Sequence, residues 1–377
     1  MQASSSTITN DSFNPPPKQH PWDKVGRLPE KAALWEYGYV MNGQPVSSTR
    51  EHLIRMIEAR GTEIQFVWTP EFPEPVLPER VPFLLEGFRR RHVTGARTNM
   101  LLSGILFVAV IAALALDHSD GKLPIWFVVA LSAVVLVKSL WTYRRSGDYT
   151  QADAISDAST ERFRSWLKKQ ALSGYTITII ACITVVGLVQ AIGDGQSAAG
   201  LVKASVRAGE IWRLFTATLM QANISYFVVN VLALMYFSRL IDQTLHRAYV
   251  PLVFLVAGVL GSISSVVIAP NTNSQDASAG LIGLLGFIAI AAYFDRRKYP
   301  PKYLRYLIRI IVVVGVIGFA VDFIDNAAHL GGLVGGLAFG WFPLRGKMND
   351  KPLLIAGTIS SIVLVLSAAM AIYKLIS

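Results

Sequence analysis

Apolar and polar positions divide this chain into two unlike parts that meet near Arg97. Before that point apolar residues come in short clusters. After it they come in long blocks separated by basic loops. A helix needs about 20 apolar residues to cross a bilayer core. Nine runs approach that length, at 99–116, 123–143, 175–193, 223–243, 249–269, 277–293, 303–321, 326–344 and 353–375. Between the second and third, "STERFRSWLKKQ" is amphipathic, with Phe163 and Trp166 on one side, and is expected to lie on the membrane surface. In the first part, residues 1–30 are rich in Ser, Asn, Pro and Lys and read as a flexible tail. A small α+β unit is expected over 31–95. There "ALWEYGYVMNGQPV" reads as a strand with an Asn42-Gly43 turn, and Ser48-x-x-Glu51 boxes the start of a helix that ends at Gly61. "EIQFVWT" follows as a second strand. Trp35, Tyr37 and Trp68 serve either a small core or a surface for a protein partner.

Composition changes the picture from helical to membrane-embedded. Of 377 residues 52% are hydrophobic and 16% charged, and the mean hydropathy is +0.43, too few charges to cover a soluble surface of that size. The net charge of +10 does not imply nucleic acid, because Lys and Arg gather beside the apolar runs, as orientation signals do. One set of loops holds Arg89 to Arg91 and Arg97, Arg144 and Arg145, Arg162 to Lys169, Arg239 and Arg247, Arg296 to Lys302, and Arg345 to Lys351. The alternate loops hold only Lys122, Lys203, Arg207 and Arg213. The first set marks the cytoplasm, which puts the N-terminal unit inside and the C-terminus outside. The lone Cys182 sits in an apolar stretch and reads as a small buried hydrophobe. No nucleotide-binding glycine loop or metal-ligand cluster is evident, so neither cofactor nor metal is expected.

Three polar groups then stand out inside the apolar runs. The sixth and eighth runs both begin at the outer face, so Ser278 and His329 lie at a similar shallow depth. An ionisable group there is a functional candidate. His329, Gly332, Gly336 and Gly340 fall within about 60° of one helical line, a track that permits close backbone approach. Ala279, Gly283 and Gly286 form a matching stripe about 100° from Ser278, which would let the hydroxyl reach sideways to the imidazole. In the fourth run Asn223, Tyr226 and Asn230 share a face. Asn230 serves either as an interhelical bond or as a donor to a developing oxyanion. A Ser beside a neutral His is the minimum for nucleophilic acyl transfer. A helix N-terminus at the Ser aims free N–H groups at developing negative charge.

With "GEIWRLFTATLMQAN", Asn230, "DASAGLIGLLG" and "DNAAHLGGLVGG" in this order, the sequence resembles the rhomboid intramembrane serine proteases. The resemblance covers 175–345. It implies an all-α polytopic fold with a six-helix core at 175–345, two additional helices at 96–145, an amphipathic linker at 146–174 and one more helix at 346–377. It implies further that Ser278 is the nucleophile and His329 the general base, with Asn230 an oxyanion donor, Tyr226 and Gln221 as further candidates beside it, and Trp212 and Arg213 in a structural loop. The substrates implied are transmembrane proteins, met within the lipid bilayer of a bacterial inner (plasma) membrane. The family usually has Gly-x-Ser-Gly, where this chain has Asp276 and Ala279. Gln221 and Tyr226 stand where two histidines are common, and Ile282 stands where an aromatic is common. These departures motivate an alternative, an inactive rhomboid-like protein that binds transmembrane helices and regulates their trafficking or degradation.

Overall fold

The computed structural model describes residues 20–27, 35–116, 125–192, 196–269, 274, 277–320, 324–345 and 349–377. Near the N-terminus, β1 (Tyr37–Met41) and β2 (Gln44–Ser48) form a hairpin. Asn42 (φ 51°) and Gly43 (φ 75°) supply the two positive dihedrals such a tight turn needs. Helix α1 (Arg50–Arg60) follows, and β3 (Ile64–Trp68) returns antiparallel beside β1, giving the order β2-β1-β3. The stretch expected as one strand and a turn is thus a complete hairpin. The cap of α1 also differs from the expected Ser48 box. Ser48 is the last residue of β2 and its hydroxyl meets His52 Nδ1 at 3.0 Å, while Thr49 accepts from the His52 backbone N–H. Gly61 closes the helix at φ 53°. Tyr39, Leu53, Ile57, Ile64 and Val67 form the core, and Trp68, 5% exposed and stacked on Trp35, belongs to the interior.

Two corrections concern what covers this unit. Helix α2 (Leu85–Leu116) starts inside it, with Phe88 buried in its core, and runs without a break past Ala96. After α3 (Ile125–Arg144) comes α4 (Gln151–Lys168), opened by a Thr150/Asp153 capping box. Its apolar side does not lie open to a membrane surface. Ala154 and Ala158 join the core of the N-terminal unit, and Phe163 and Leu167 are fully covered by the main helical core. The segment read as a flexible tail is likewise packed at residues 20–27. Trp22 sits edge-on to Phe163 and its indole N–H donates to the Ser159 hydroxyl at 3.3 Å. Asp23 accepts from Arg162 at 3.0 Å, and Arg162 also holds Glu79. Residues 1–19 lie outside the described residues. Trp22→Ala should cost about 3 kcal/mol locally, as for other large-to-small core changes. Limited proteolysis should then cut near residues 20–27 while the helical core stays intact. Resistance equal to that of the wild type would show that Trp22 does not anchor the segment.

The remaining chain is α5 (Gly174–Ile192), three short helices α6 (Gln196–Ala199), α7 (Lys203–Arg207) and α8 (Arg213–Thr216), then α9 (Ile224–Thr244), α10 (Tyr249–Ile268), α11 (Ser278–Phe294), α12 (Tyr303–Ala320), α13 (Asn326–Arg345) and α14 (Asp350–Ile376). Each apolar run falls on a helix. By length and composition α5, α10 and α14 suffice to cross a membrane, and α11 is apolar but shorter. Large apolar side chains such as Leu102, Val229, Val267, Val312 and Leu366 point outward, an arrangement stable in lipid and not in water. The protein is an integral, multi-pass membrane protein. At its centre α11 packs most closely on α13 and α10, whereas α12 touches α11 and α13 more lightly.

Candidate active site

The central contact exists because glycines let backbones meet. A Cβ on Gly332 would lie 2.2 Å from the Ala279 carbonyl oxygen, and one on Gly336 would lie 1.9 Å from that of Gly283. The α13 track foreseen in the sequence therefore faces α11. A second track, Gly331 and Gly335, faces α10 and was not foreseen. The close approach brings the first residue of α11 beside the first turn of α13. Ser278 Oγ lies 2.6 Å from His329 Nε2, within short hydrogen-bond distance. His329 Nδ1 is buried and has no hydrogen-bond partner among the described residues. Beside His329 is an apolar cavity of about 290 Å³, lined in part by Ile282, Leu285, Ile311, Leu330 and Leu333.

Asn230 is buried in α9, and its amide donates to Gln221 Oε1 at 2.7 Å. Gln221 is in turn gripped by Gln190 of α5. The Gln190 side-chain amide donates to the Gln221 carbonyl at 2.5 Å, and its oxygen accepts from the Gln221 backbone N–H at 3.2 Å. The Gln221 side-chain nitrogen is buried without a partner among the described residues. The backbone next to Gln221 meets the backbone next to Ser278, where Ala277 N–H donates to the carbonyl of Met220 at 3.3 Å. Tyr226 is half-buried one turn into α9, and its backbone N–H is capped by Asn223. Asp276 lies outside the described residues. Gln190 was missed in the sequence, where a lone Gln in an apolar run carries little signal.

Trp212 and Arg213 hold the loop between α5 and α9. Arg213 bonds the Glu210 carboxylate and donates to the Gly200 carbonyl at 2.8 Å, and its guanidinium lies 4.5 Å over the Trp212 ring. Thr216 adds a bond to the Ala199 carbonyl at 2.8 Å. Among the described residues no three His, Cys, Asp or Glu side chains converge to hold a metal ion.

Apolar helices around a Ser–His contact define a class, and comparison with known proteins narrows it. Residues 208–346 match the family model described as Rhomboid domain. The chain is 34% identical over 131 residues to the rhomboid protease GluP of Bacillus subtilis, covering 35% of this chain and 26% of that one. It is 30% identical over 141 residues to RHOMBOID-like protein 7 of Arabidopsis thaliana, covering 37% and 45%. It is 27% identical over 134 residues to the inactive RHOMBOID-like protein 8 of the same plant, covering 35% and 38%. These matches support a rhomboid-type domain over residues 208–346, a little over a third of the chain. The matched part spans less than half the length of each of these relatives, and one of them bears the name inactive. Whether the site works therefore depends on its own side chains.

Proposed function

We propose that this protein is an intramembrane serine endopeptidase that hydrolyses peptide bonds in or near transmembrane helices of other membrane proteins. The observation that carries the reading is the 2.6 Å contact between Ser278 Oγ and His329 Nε2. The imidazole takes the hydroxyl proton as Oγ attacks the scissile carbonyl, then gives it to the leaving amine. Water, activated by the same ring, frees the acyl group from Ser278. The backbone N–H groups at the start of α11 and the amides of Asn230 and Gln221, with Tyr226 nearby, are suited to the oxyanion. In this reading α5 and α9 to α13 form the six-helix core, α2, α3 and α14 are additions, and Trp212 and Arg213 are structural. The N-terminal unit faces the cytoplasm of a bacterial cell and offers a surface to a protein partner. Both reacting groups start outer-facing helices, so cleavage falls near the outer boundary, where small or helix-breaking substrate residues unwind most easily.

The test is cleavage of a panel of single-span substrates by the purified protein in lipid, with product ends located by mass spectrometry. Fragments cut near the outer boundary are expected. Capture of the same substrates without any product would favour the second reading, a helix-binding protein, which Ala279 beside the serine and the inactive relative motivate. Within the protease reading, Asn230→Ala should lower kcat by about 10²-fold, the effect of losing one oxyanion donor. An unchanged kcat would leave Asn230 as an interhelical bond to Gln221 alone.

A further inference from the structure

Lys203 is 1% exposed although it stands in the loop between α5 and α9, and the side chain of its partner Asp325 is 5% exposed. Their charged atoms are 3.6 Å apart. Lys203 Nζ also donates to the carbonyl of Ala269 at 2.6 Å, at the C-terminal end of α10, where a cation suits the helix dipole. Asp325 stands just before α13. One carboxylate oxygen accepts from the Ala328 N–H at 2.9 Å, as an N-terminal cap does, and the other accepts from the Ser265 hydroxyl of α10. Burial opposes the charge on Asp325, but the bonds from Ser265 and Ala328, together with the charge of Lys203, hold its carboxyl below the usual range. Burial likewise pushes the pKa of the Lys203 ammonium down, against the raising effect of Asp325, and the paired side chains, 3.6 Å apart, join the loop to two central helices.

The same short stretch of loop reaches the other helix start. Leu201 exchanges backbone hydrogen bonds with Ser274, at 2.9 and 3.3 Å. Ser274 precedes Ser278 by four residues, and Asp325 precedes His329 by four. His329 N–H donates to the Asp325 carbonyl at 3.0 Å, so the two are one helical turn apart. Residues 201–203 thus hold the approach to the serine with backbone and the approach to the histidine with charge. Arg213 anchors the stretch from behind through the Gly200 carbonyl.

We propose that Lys203 and Asp325 are positioning residues for the Ser278–His329 pair, setting the place of the first turn of α13 against that of α11. The proposal rests on the protease reading of that pair. A buried ion pair is a poor source of stability, since desolvation consumes much of its Coulombic gain. Its geometric effect is larger, because a displacement of about 1 Å at a reacting group can cost about 10²-fold in rate.

The test compares wild-type protein in lipid with Lys203→Met, Lys203→Arg, Asp325→Asn and the double variant Lys203→Met/Asp325→Asn. It reads kcat and KM for one single-span substrate, the rate at which a fluorophosphonate modifies Ser278, and thermal unfolding. The two neutralising single variants should lose about 10²-fold in kcat and in modification rate, with KM within about twofold of wild type. Lys203→Arg should recover most of the loss. The double variant should be no worse than either single, because it leaves no unpaired buried charge. Single variants that unfold at lower temperature yet keep the wild-type kcat and modification rate would overturn the proposal and leave the pair structural. A wild type that neither cleaves nor reacts would instead overturn the protease reading, and the positioning role with it.

Discussion

Ser278→Ala should abolish cleavage, lowering kcat by about 10⁶-fold, the magnitude found where nucleophile and base act as a unit. His329→Ala should fall nearly as far, and the double variant little further, since neither residue works without the other. The fold should survive both changes. Ser278 is only half-buried and the hydrogen bond to His329 that its removal forfeits is worth about 1 kcal/mol, so thermal unfolding should shift by a few degrees at most. A fluorophosphonate should label the wild type and neither variant, which separates loss of the nucleophile from loss of substrate binding. If purified Ser278→Ala cleaved at more than about one hundredth of the wild-type rate, the attacking group would be another residue.

The part of this molecule that could be read from sequence is the part governed by local pattern. Long apolar runs are helices because in lipid only internal hydrogen bonding satisfies the backbone. Small residues every four positions foretold which face of α13 meets α11. Ser278 and His329 could be paired in advance because each opens a helix at the same end. What escaped depends on distant neighbours. Trp22 lies in a stretch with the composition of a tail, and its fixing on Phe163 arises only once α4 is folded. Phe163 and Trp166 gave α4 a genuine apolar side, but protein rather than membrane covers it. Lys203 looked like a stray charge in an outer loop. Only the fold reveals that it is nearly inaccessible and faces an acid 122 positions later. The grip of Gln190 on Gln221 is equally non-local.

Gly336→Val should be the most damaging change away from the reacting atoms. The Cβ alone would lie 1.9 Å from the Gly283 oxygen, 2.6 Å from its carbonyl carbon and 2.7 Å from its Cα. These are backbone atoms of α11, so no rotamer change relieves the clash and the two helices must separate. Overpacking of this kind costs about 1–3 kcal/mol or more. Because α11 carries Ser278 and α13 carries His329, the separation also opens the 2.6 Å contact. A further loss of about 10²-fold in fluorophosphonate reactivity should accompany the lower unfolding temperature. Gly95→Ala in α2 is the control, since an added Cβ there meets nothing within 4 Å; in a helix it should be neutral or slightly stabilising. If Gly336→Val matched Gly95→Ala in both unfolding and reactivity, the close approach of α11 and α13 would not be what holds the serine and histidine together.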